Sequence, residues 1–423
     1  MLKHAAVVGG GIAGLLAAHA LAPFAARVTV IERHAYPASD GDGAPPSRRG
    51  APQSRCLHLL MAGGAAAIDG LTPGWREELV ARGAEPFDAL RDAALYLHGG
   101  RMPRSLSGVT AYACSRALLE ETLRSRLRAH PHVLVQENRA AQDLAATPDG
   151  RRVCGLRIDG PEPLLHADLV VEATGRHSAL PRWLARLPGK MCTPAPELLI
   201  GSRTHYVSRW FRLEGDDTPD WRWFSTAAEA GTGRAAMMMR AERGCWGVVL
   251  LAGLDMPLPV DDAGFRAFAA DLGGGELRDV LGRAVPVSPI HRYPPSPNRL
   301  RRFDAVKGWP EGLVALGDSV CALDPFFGLG MTAAARGALC LRDHLVAGNH
   351  GARGFQPALA AVLAEPWRMA TGCCLEGSPS AHDAFAMAQA YADATVRPDA
   401  ARAVLSAQHL LSTTGDLVEA CPA

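Results

Sequence analysis

Apolar residues at the start of the chain fall into three short blocks separated by glycines and polar residues. Residues 5–8 (AAVV) predict a buried strand, residues 12–21 (IAGLLAAHAL) a helix, and residues 27–32 (RVTVIE) a second strand. The first 22 residues of this stretch, from Ala5 onward, carry no charge, which would also fit a membrane span or a secretion signal. Four glycines within six residues weaken any single helix there, so the pattern favours strand, turn, helix and strand.

The glycines between the first strand and the helix have the spacing of a dinucleotide-binding turn. Gly9 permits the tight turn, Gly11 lets the backbone approach a pyrophosphate, and Gly14 lets the helix pack close to the strand. The helix N-terminus offers free N–H groups to the phosphates, and Glu32 can accept hydrogen bonds from ribose hydroxyls. The glycines near Gly273 lack a preceding strand and a following acid, so the sequence predicts one tightly held dinucleotide.

A second glycine-rich turn lies near the other end of the chain. Residues 313–316 (LVAL) predict a buried strand, and the strand ends at Asp318. A loop leads to Gly328 and Gly330, and a helix is expected to start near Met331. An aspartate at a strand end can bind a sugar-chain hydroxyl, and the helix N-terminus can stabilise the edge of a flavin ring that becomes negative on reduction.

The rest of the pattern predicts a second sheet and a helical C-terminal region. Apolar and polar residues alternate over residues 198–213, and two apolar runs flank a turn at 242–245. Both patterns predict antiparallel strands, which we expect to form the floor of a pocket. Short strands are expected at VLVQEN, CGLRID and LVVEATG, with a hairpin turn at 147–150. Residues 291–303 (HRYPPSPNRLRRF) are interpreted as a linker, and only helix-like segments follow Val346.

Composition fits a soluble globular protein of two or three domains. Apolar residues make up 48%, charged residues 21%, and the net charge is +1. This balance argues against nucleic acid or an anionic membrane as the main partner, and no stable membrane insertion is expected. The ten cysteines lack metal-ligand or disulfide spacing, so we expect reduced thiols in a cytoplasmic protein without a metal site.

Several motifs, in the right order, resemble the class A flavoprotein monooxygenases of the para-hydroxybenzoate hydroxylase type. The N-terminal fingerprint ending in IER, residues 168–178 (DLVVEATGRHS) and residues 317–331 (GDSVCALDPFFGLGM) match their flavin motifs. Residues 114–127 (CSRALLEETLRSRL) match the helix whose leading arginine lies against FAD. Residues 50–64 (GAPQSRCLHLLMAGG) are similar to bacterial natural-product tailoring epoxidases and hydroxylases, although Cys56 stands where a histidine is usual.

The resemblance implies FAD as the cofactor. The residues expected to bind it are Gly9, Gly11, Ile12, Ala13, Gly14, Glu32, Arg33, Arg116, Asp318, Gly328, Gly330, Met331 and Thr332. The implied electron donor is NAD(P)H, used directly or through a separate flavin reductase. Thr174 and its neighbours replace the Asp-Gly pair that the family ties to NAD(P)H use, which puts a built-in nicotinamide site in doubt.

The predicted fold class is α/β, with three regions. A discontinuous Rossmann-like FAD-binding domain is expected over 1–75, 113–188 and 300–348. An antiparallel-sheet substrate domain is expected over 76–112 and 189–299, and a C-terminal helical region over 349–423.

Seven residues are candidates for a hydrophobic substrate pocket: His58, Trp221, Trp223, Met237, Met239, Phe327 and Leu329. The two tryptophans are expected to share one strand face and the methionines Met237 and Met239 another, with core packing as the alternative. His58 is a candidate through the resemblance, and His205 and Tyr206 could donate to a substrate or to neighbours. No residue pattern predicts an acid–base catalyst.

The implied function is insertion of one oxygen atom from O2 into a hydrophobic secondary metabolite, through a flavin C4a-(hydro)peroxide. Hydroxylation and epoxidation both stay open. An alternative is an FAD-dependent reductase of the geranylgeranyl-reductase type. A flavin-dependent halogenase is disfavoured because the chain has no lysine between Lys3 and Lys190.

Overall fold

The computed structural model describes residues 1–37, 43–97, 100–190, 192–213, 218–349, 352–372 and 381–420. Within these ranges the helices, in chain order, are α1 (Ile12–Leu21), α2 (Ala62–Leu71), α3 (Trp75–Ala81), α4 (Arg116–Arg128), α5 (Leu180–Ala185), α6 (Asp262–Ala269), α7 (Glu276–Arg283), α8 (Gly330–Val346), α9 (Phe355–Thr371), α10 (Ala381–Asp393), α11 (Pro398–Gln408) and α12 (Thr414–Ala420).

The strands of the first half of the chain are β1 (Ala5–Val8), β2 (Val28–Ile31), β3 (Glu85–Asp88), β4 (Ala93–Leu97), β5 (Gly100–Arg101), β6 (Thr110–Ala113), β7 (Val133–Gln136), β8 (Ala141–Ala146), β9 (Val153–Ile158), β10 (Leu164–His166) and β11 (Leu169–Glu172). The strands of the second half are β12 (Glu197–Ile200), β13 (Thr204–Arg212), β14 (Trp223–Thr226), β15 (Ala235–Arg240), β16 (Cys245–Gly253), β17 (Val285–Pro286), β18 (His291–Tyr293), β19 (Asn298–Arg301), β20 (Leu313–Ala315) and β21 (Cys321–Ala322).

A five-stranded parallel sheet forms the centre of the dinucleotide-binding region. Its order is β20-β11-β1-β2-β7, and β1, β2 and β11 are buried along their whole length. Parallel strands covered on both faces need continuous apolar residues, which is what residues 5–8 and 28–31 supply. The predicted order of strand, turn, helix and strand is confirmed, and α1 spans the expected residues 12–21.

A larger, mostly antiparallel sheet forms the second layer. Its order is β17-β13-β16-β15-β14-β4-β5, with β18 pairing β13. The turn expected between β15 and β16 is confirmed, but the sheet is not purely antiparallel, because β14 pairs in parallel with β4. These two strands come from distant parts of the chain, so no hairpin dictates their direction.

The interpretation of residues 291–303 as a linker is wrong. This segment contains β18, which extends the large sheet, and β19, which lies between β12 and β21 in a separate three-stranded sheet. The prolines sit between the two strands, where no backbone donor is required. The strands themselves read HRY and NRLR and carry no apolar alternation that would have indicated them.

Four helices, α9 to α12, follow Val346 in the part of the chain that the structure describes, which confirms the helical C-terminal prediction there. No helix among the described residues is both long and apolar enough to cross a membrane. Seven cysteines lie in the described residues as free thiols, whereas Cys373, Cys374 and Cys421 lie outside them. The domain limits stay predictions.

Candidate active site

One cavity of about 1470 Å³ runs between the parallel sheet, the large sheet and the C-terminal helices. Gly9 and Gly11 of the first glycine turn line it, and so do Gly328 and Gly330 of the second. The carboxyl ends of β1, β2, β11 and β20 meet at this edge, which is where ligands bind in open parallel sheets. Two turns separated by most of the chain therefore face a shared space.

Backbone crowding explains the glycines of the first turn. Gly9 has φ +100°, and a side chain there would start 2.5 Å from the carbonyl oxygen of Ala173. A side chain on Gly14 would start 1.8 Å from the carbonyl oxygen of Gly9, so helix α1 can approach the strand only because this residue is glycine. Gly14 acts through this packing and is not part of the cavity wall.

Two arginines flank Gly11 at the N-terminus of α1. Their Nη2 atoms lie 3.3 Å (Arg48) and 3.9 Å (Arg116) from the point where a Gly11 side chain would start. Arg116 was predicted through the family motif, but Arg48 was missed because no spacing rule marks it. Guanidinium groups beside free helix N–H groups suit an anionic ligand such as a pyrophosphate.

Glu32 is held by the protein itself. Its Oε2 accepts a 2.7 Å hydrogen bond from the N–H of Gly10 and lies 3.1 Å from Nη1 of Arg48, and its Oε1 accepts from the N–H of His34 at 3.0 Å. Arg48 is also 3.5 Å from Glu120, so the carboxylate belongs to a buried ion-pair network. Glu32 still lines the cavity, where a carboxylate has further lone pairs to offer a ribose.

Asp318 is the best-placed side chain for a sugar-chain hydroxyl. It lines the cavity just after β20 and makes no hydrogen bond with any residue that the structure describes. Burial raises the pKa of its carboxyl, and the positive charges of Arg176 and Arg116 oppose that rise. A carboxylate that lacks a protein donor in such a wall fits a ligand that supplies hydroxyl donors, as FAD would.

The carboxyl and hydroxyl side chains of the middle motif are bonded to one another. The fully buried carboxyl group of Glu172 accepts hydrogen bonds from the hydroxyls of Thr174 and Ser178, and burial raises its pKa. Residues 173–175 line the cavity together with Arg176 and His177 of the same motif. The hydroxyl of Thr174, at the position of the family's aspartate, is therefore already engaged within the protein.

His58 presents a hydrogen-bond acceptor. Its Nδ1 lies 2.9 Å from the carbonyl oxygen of Cys56, which can only accept, so Nδ1 carries the proton. Burial lowers the pKa of His58 to about 3, and the charge of Arg116 lowers it further. The ring is neutral at pH 7, and its Nε2 has a lone pair.

Most of the residues predicted for the two sites lie in the cavity wall. Those in the cofactor part are Gly9, Gly11, Ile12, Ala13, Glu32, Arg33, Arg116, Asp318, Gly328, Gly330 and Met331, and those in the substrate part are His58, Trp223, Met237, Phe327 and Leu329. Tyr206 is also there, whereas His205 faces the carbonyl oxygen of Met256. Placement in the wall does not itself test the roles predicted for these residues.

Besides Gly14, three predicted residues lie outside the cavity wall. Trp221 does not share a face with Trp223, because β14 begins only at Trp223. Its indole is buried against Trp246 and donates to Glu276 at 2.8 Å. Met239 lies in the core opposite Trp223, which is the core packing named above as the alternative to a place in the pocket. The hydroxyl of Thr332 faces Gly64 of α2 and not the cavity.

The C-terminal helices supply wall residues that no motif indicated. Met387 and Tyr391 come from α10, Val404 from α11, and His409 follows directly after α11. Helical segments rich in alanine give no chemical signal in the sequence, so only the folded chain shows that they enclose the site.

The comparisons with known proteins agree with this geometry. Residues 7–50 match the sequence model of an NAD(P)-binding Rossmann-like domain. Protein Rv3254 of Mycobacterium tuberculosis (strain ATCC 25618 / H37Rv) is 33% identical over 371 residues, which cover 83% of this chain and 74% of the relative.

Solved structures with the same fold include three enzymes. PqsL, a probable FAD-dependent monooxygenase from Pseudomonas aeruginosa, has a TM-score of 0.61 at 15% identity and is matched over 93% of this chain and 98% of its own. The 2-methyl-3-hydroxypyridine-5-carboxylic acid oxygenase has a TM-score of 0.60 at 18% identity, and the match covers 97% of this chain and 98% of the oxygenase. The flavin-dependent brominase Bmp2 has a TM-score of 0.67 at 14% identity, and the match covers 99% of this chain and 98% of the brominase.

These similarities confirm the α/β fold expected from the resemblance. The chain belongs to the same family as Protein Rv3254, and its fold is that of the class A flavoprotein monooxygenases.

Proposed function

We propose that this chain is an FAD-dependent monooxygenase that inserts one atom of O2 into a hydrophobic small molecule, by aromatic hydroxylation or alkene epoxidation. The observation that carries the proposal is the shared cavity. Its dinucleotide end has two glycine turns and a carboxylate without a protein donor, and the space continues into an apolar chamber.

The residues at the dinucleotide end would bind and orient FAD. Gly11 and the N-terminus of α1 would receive the pyrophosphate between Arg48 and Arg116, and Asp318 would accept a hydrogen bond from the ribityl chain. The N-terminus of α8 at Gly330 would face the flavin ring and stabilise negative charge there, by up to about 2 kcal/mol if partly buried. Bound, reduced FAD supplies the activation of O2, which no amino-acid side chain provides.

The residues at the other end would exclude water and hold the substrate. Trp223, Met237 and Phe327 form apolar wall, and the C-terminal helices cover the chamber. An enclosed apolar site protects reactive oxygen species from water and places the substrate beside the cofactor. Acid–base side chains are not required for this role, and none is proposed.

The electron donor belongs to the same proposal. The hydroxyl of Thr174, at the position of the family's aspartate, is bonded to Glu172 and is not free to bind a nicotinamide nucleotide. We therefore expect NAD(P)H to reduce the flavin at a transient surface site or through a separate flavin reductase.

Stopped-flow kinetics test the proposal. FAD-loaded protein is reduced anaerobically, in one arm with NADPH and in the other with dithionite, and is then mixed with oxygenated buffer. We expect a transient absorbance spectrum that differs from both oxidised and reduced flavin, whereas free reduced FAD in the same buffer gives none. Comparison of the two arms shows whether NADPH alone suffices as the donor.

The alternatives give different outcomes in that experiment. Reduced protein that stays reduced in the presence of O2 would favour a reductase of the geranylgeranyl-reductase type and would contradict the proposal. The fold of the brominase Bmp2 does not decide for halogenation. None of the cavity-lining residues that the structure describes is a lysine, the residue expected to carry an oxidised halogen.

A further inference from the structure

Glu242 connects the large sheet to the N-terminus of α4. It lies at the start of the turn between β15 and β16, and its side chain is bound to Ser115, which is 127 positions away in the sequence. Oε2 of Glu242 accepts a hydrogen bond from the N–H of Ser115 at 2.8 Å, and Oε1 accepts one from the Ser115 hydroxyl at 2.5 Å. The hairpin therefore bonds directly to the layer that carries the dinucleotide end of the cavity.

Ser115 is the N-cap residue of α4. Its Oγ accepts a hydrogen bond from the N–H of Leu118 at 3.1 Å, and the residue is only 1% exposed. A serine hydroxyl that accepts from the helix still has its own proton to donate, and in a buried position that proton needs an acceptor. Glu242 supplies this acceptor and also binds the backbone of the same residue, so a side chain from the large sheet completes the cap.

The cap holds the turn of α4 from which Arg116 extends. Arg116 is the first residue of this helix, and its Nη2 lies 3.9 Å from the point where a side chain on Gly11 would start. Its Nε donates to Glu120 at 2.8 Å, which fixes the guanidinium relative to its own helix. Helix ends fray when their free N–H groups lack partners, and a charge-assisted hydrogen bond needs its donor within about 3 Å of the anion. The distance from Arg116 to Gly11 therefore depends on how firmly Glu242 holds the first turn.

The charge of Glu242 does not explain its place at the start of α4. A carboxylate repels the phosphates of a dinucleotide, so by charge alone its removal would strengthen their binding. The hydrogen bonds to the cap act in the opposite direction, because they keep Arg116 within reach of the phosphates. The two effects differ in sign, which makes them separable by measurement.

We propose that Glu242 is a positioning residue for Arg116 and that the turn of the large sheet thereby completes the pyrophosphate site of FAD. The inference rests on the proposed function, because it concerns the same cofactor site. Met237 and Val249, on the strands that flank this turn, line the cavity. One hairpin thus forms part of the chamber wall and holds an arginine at the dinucleotide end.

Fluorescence titration of FAD into the full-length chain, freed of flavin, tests the role of Glu242. In Glu242→Ala both acceptors for Ser115 are lost, and we expect the Kd for FAD to rise about tenfold despite the loss of a negative charge. Glu242→Gln keeps an acceptor for the N–H of Ser115 but not for its hydroxyl, so we expect a smaller rise of about threefold. Circular dichroism confirms that each variant is folded.

A double-mutant cycle shows whether Glu242 acts through Arg116. Arg116→Met removes the guanidinium and keeps an unbranched apolar side chain, and we expect it to weaken FAD binding at least as much as Glu242→Ala does. In the Arg116→Met background, Glu242→Ala should change the Kd by less than about twofold, because the group that it positions is absent. A loss of structure alone would give the same change in both backgrounds.

Asp261→Ala is the matched control. Asp261 caps α6 by accepting from the N–H of Gly264 at 2.8 Å, so its removal also deletes a carboxylate that caps a helix. None of the α6 residues that the structure describes lines the cavity, and we expect the Kd for FAD to stay at the wild-type value.

Three results would overturn the inference: unchanged or tighter FAD binding in folded Glu242→Ala, an equal change of Kd in the Arg116→Met background, or an equal loss of affinity in Asp261→Ala. If Glu242→Ala does not fold, Glu242→Gln takes its place, and wild-type affinity in that variant would contradict the inference. A wild type that binds no FAD would contradict the proposed function together with the inference, whereas the other outcomes leave the proposed function standing.

Discussion

At the dinucleotide end of the cavity, glycine turns bring the backbone into the wall beside a few charged side chains, whereas at the substrate end the wall consists of side chains from elements that are far apart in the sequence. The first glycine turn, the N-terminus of α1 and residues 173–175 approach one another as main chain. The chamber instead combines Trp223, Met237 and Met387, which come from the large sheet and the C-terminal helices. Backbone recognition depends on glycines at set spacings, while side-chain recognition depends on the whole fold.

The comparison implies that the two ends respond differently to mutation. A residue that sets backbone spacing should affect folding and cofactor binding together, since nothing nearby can adjust. A residue that lines the chamber should affect ligand binding more than stability, because its outer face meets a cavity and makes fewer packing contacts there.

The largest combined effect, on stability and on cofactor binding together, is expected from Gly14→Ala. The added Cβ would start 1.8 Å from the carbonyl oxygen of Gly9, so α1 must move away from β1. We expect the free energy of unfolding to fall by about 3 kcal/mol, with loss of most FAD affinity. Urea unfolding and FAD titration measure both.

Gly282→Ala is the matched control, because Gly282 lies in α7 with no neighbouring atom within 4 Å of its added Cβ. Alanine at this exposed position should stabilise the protein by roughly 0.5–1 kcal/mol and leave FAD affinity unchanged. If the two variants behaved alike, close packing at the glycine turn would not explain Gly14.

A smaller effect should distinguish the two tryptophans. Trp221→Ala removes an indole that is enclosed by Trp246 and Phe224, and we expect a loss of about 3–5 kcal/mol of stability. Trp223→Ala should cost roughly 1–2 kcal/mol, since one side of this ring faces the cavity. Urea unfolding gives the stabilities.

Equilibrium dialysis of the FAD-loaded protein against 9-fluorenone, a planar apolar probe for the chamber, provides the second readout for this pair. We expect weakened binding in Trp223→Ala, whereas any folded Trp221→Ala protein should bind as the wild type does. Equal losses of binding in both variants would place Trp221 in the chamber wall and contradict the observed packing.

The same contrast governs what the sequence could predict. Local patterns were sufficient for α1, for the strands on either side of it and for the position of Asp318 after β20, because each depends on neighbouring residues. The rule that alternate residues of a strand share a face gave a wrong prediction for Trp221, because β14 starts two residues later than the pattern suggested. Nothing local could place β4 beside β14, since that pairing joins distant segments.

Residues that act through long-range contacts gave no sequence signal. Arg48 is one of several arginines in a polar stretch, and only its contacts with Glu32 and Glu120 show its place beside Gly11. Glu242 lies in a polar turn, and only its bonds to Ser115 show that it holds the start of α4. In both cases the partner lies far away in the sequence.

The central claim is that both glycine turns hold one FAD, and titration of FAD into the wild type, Gly11→Val and Gly330→Val tests it most directly. Neither glycine has a positive φ, and an added side chain would project into the cavity with no protein atom closer than 3.3 Å. We predict one FAD per wild-type chain and loss of binding in both variants, each still folded by circular dichroism. A folded variant that binds FAD as tightly as the wild type would show that its glycine turn does not contact the cofactor and would contradict the account.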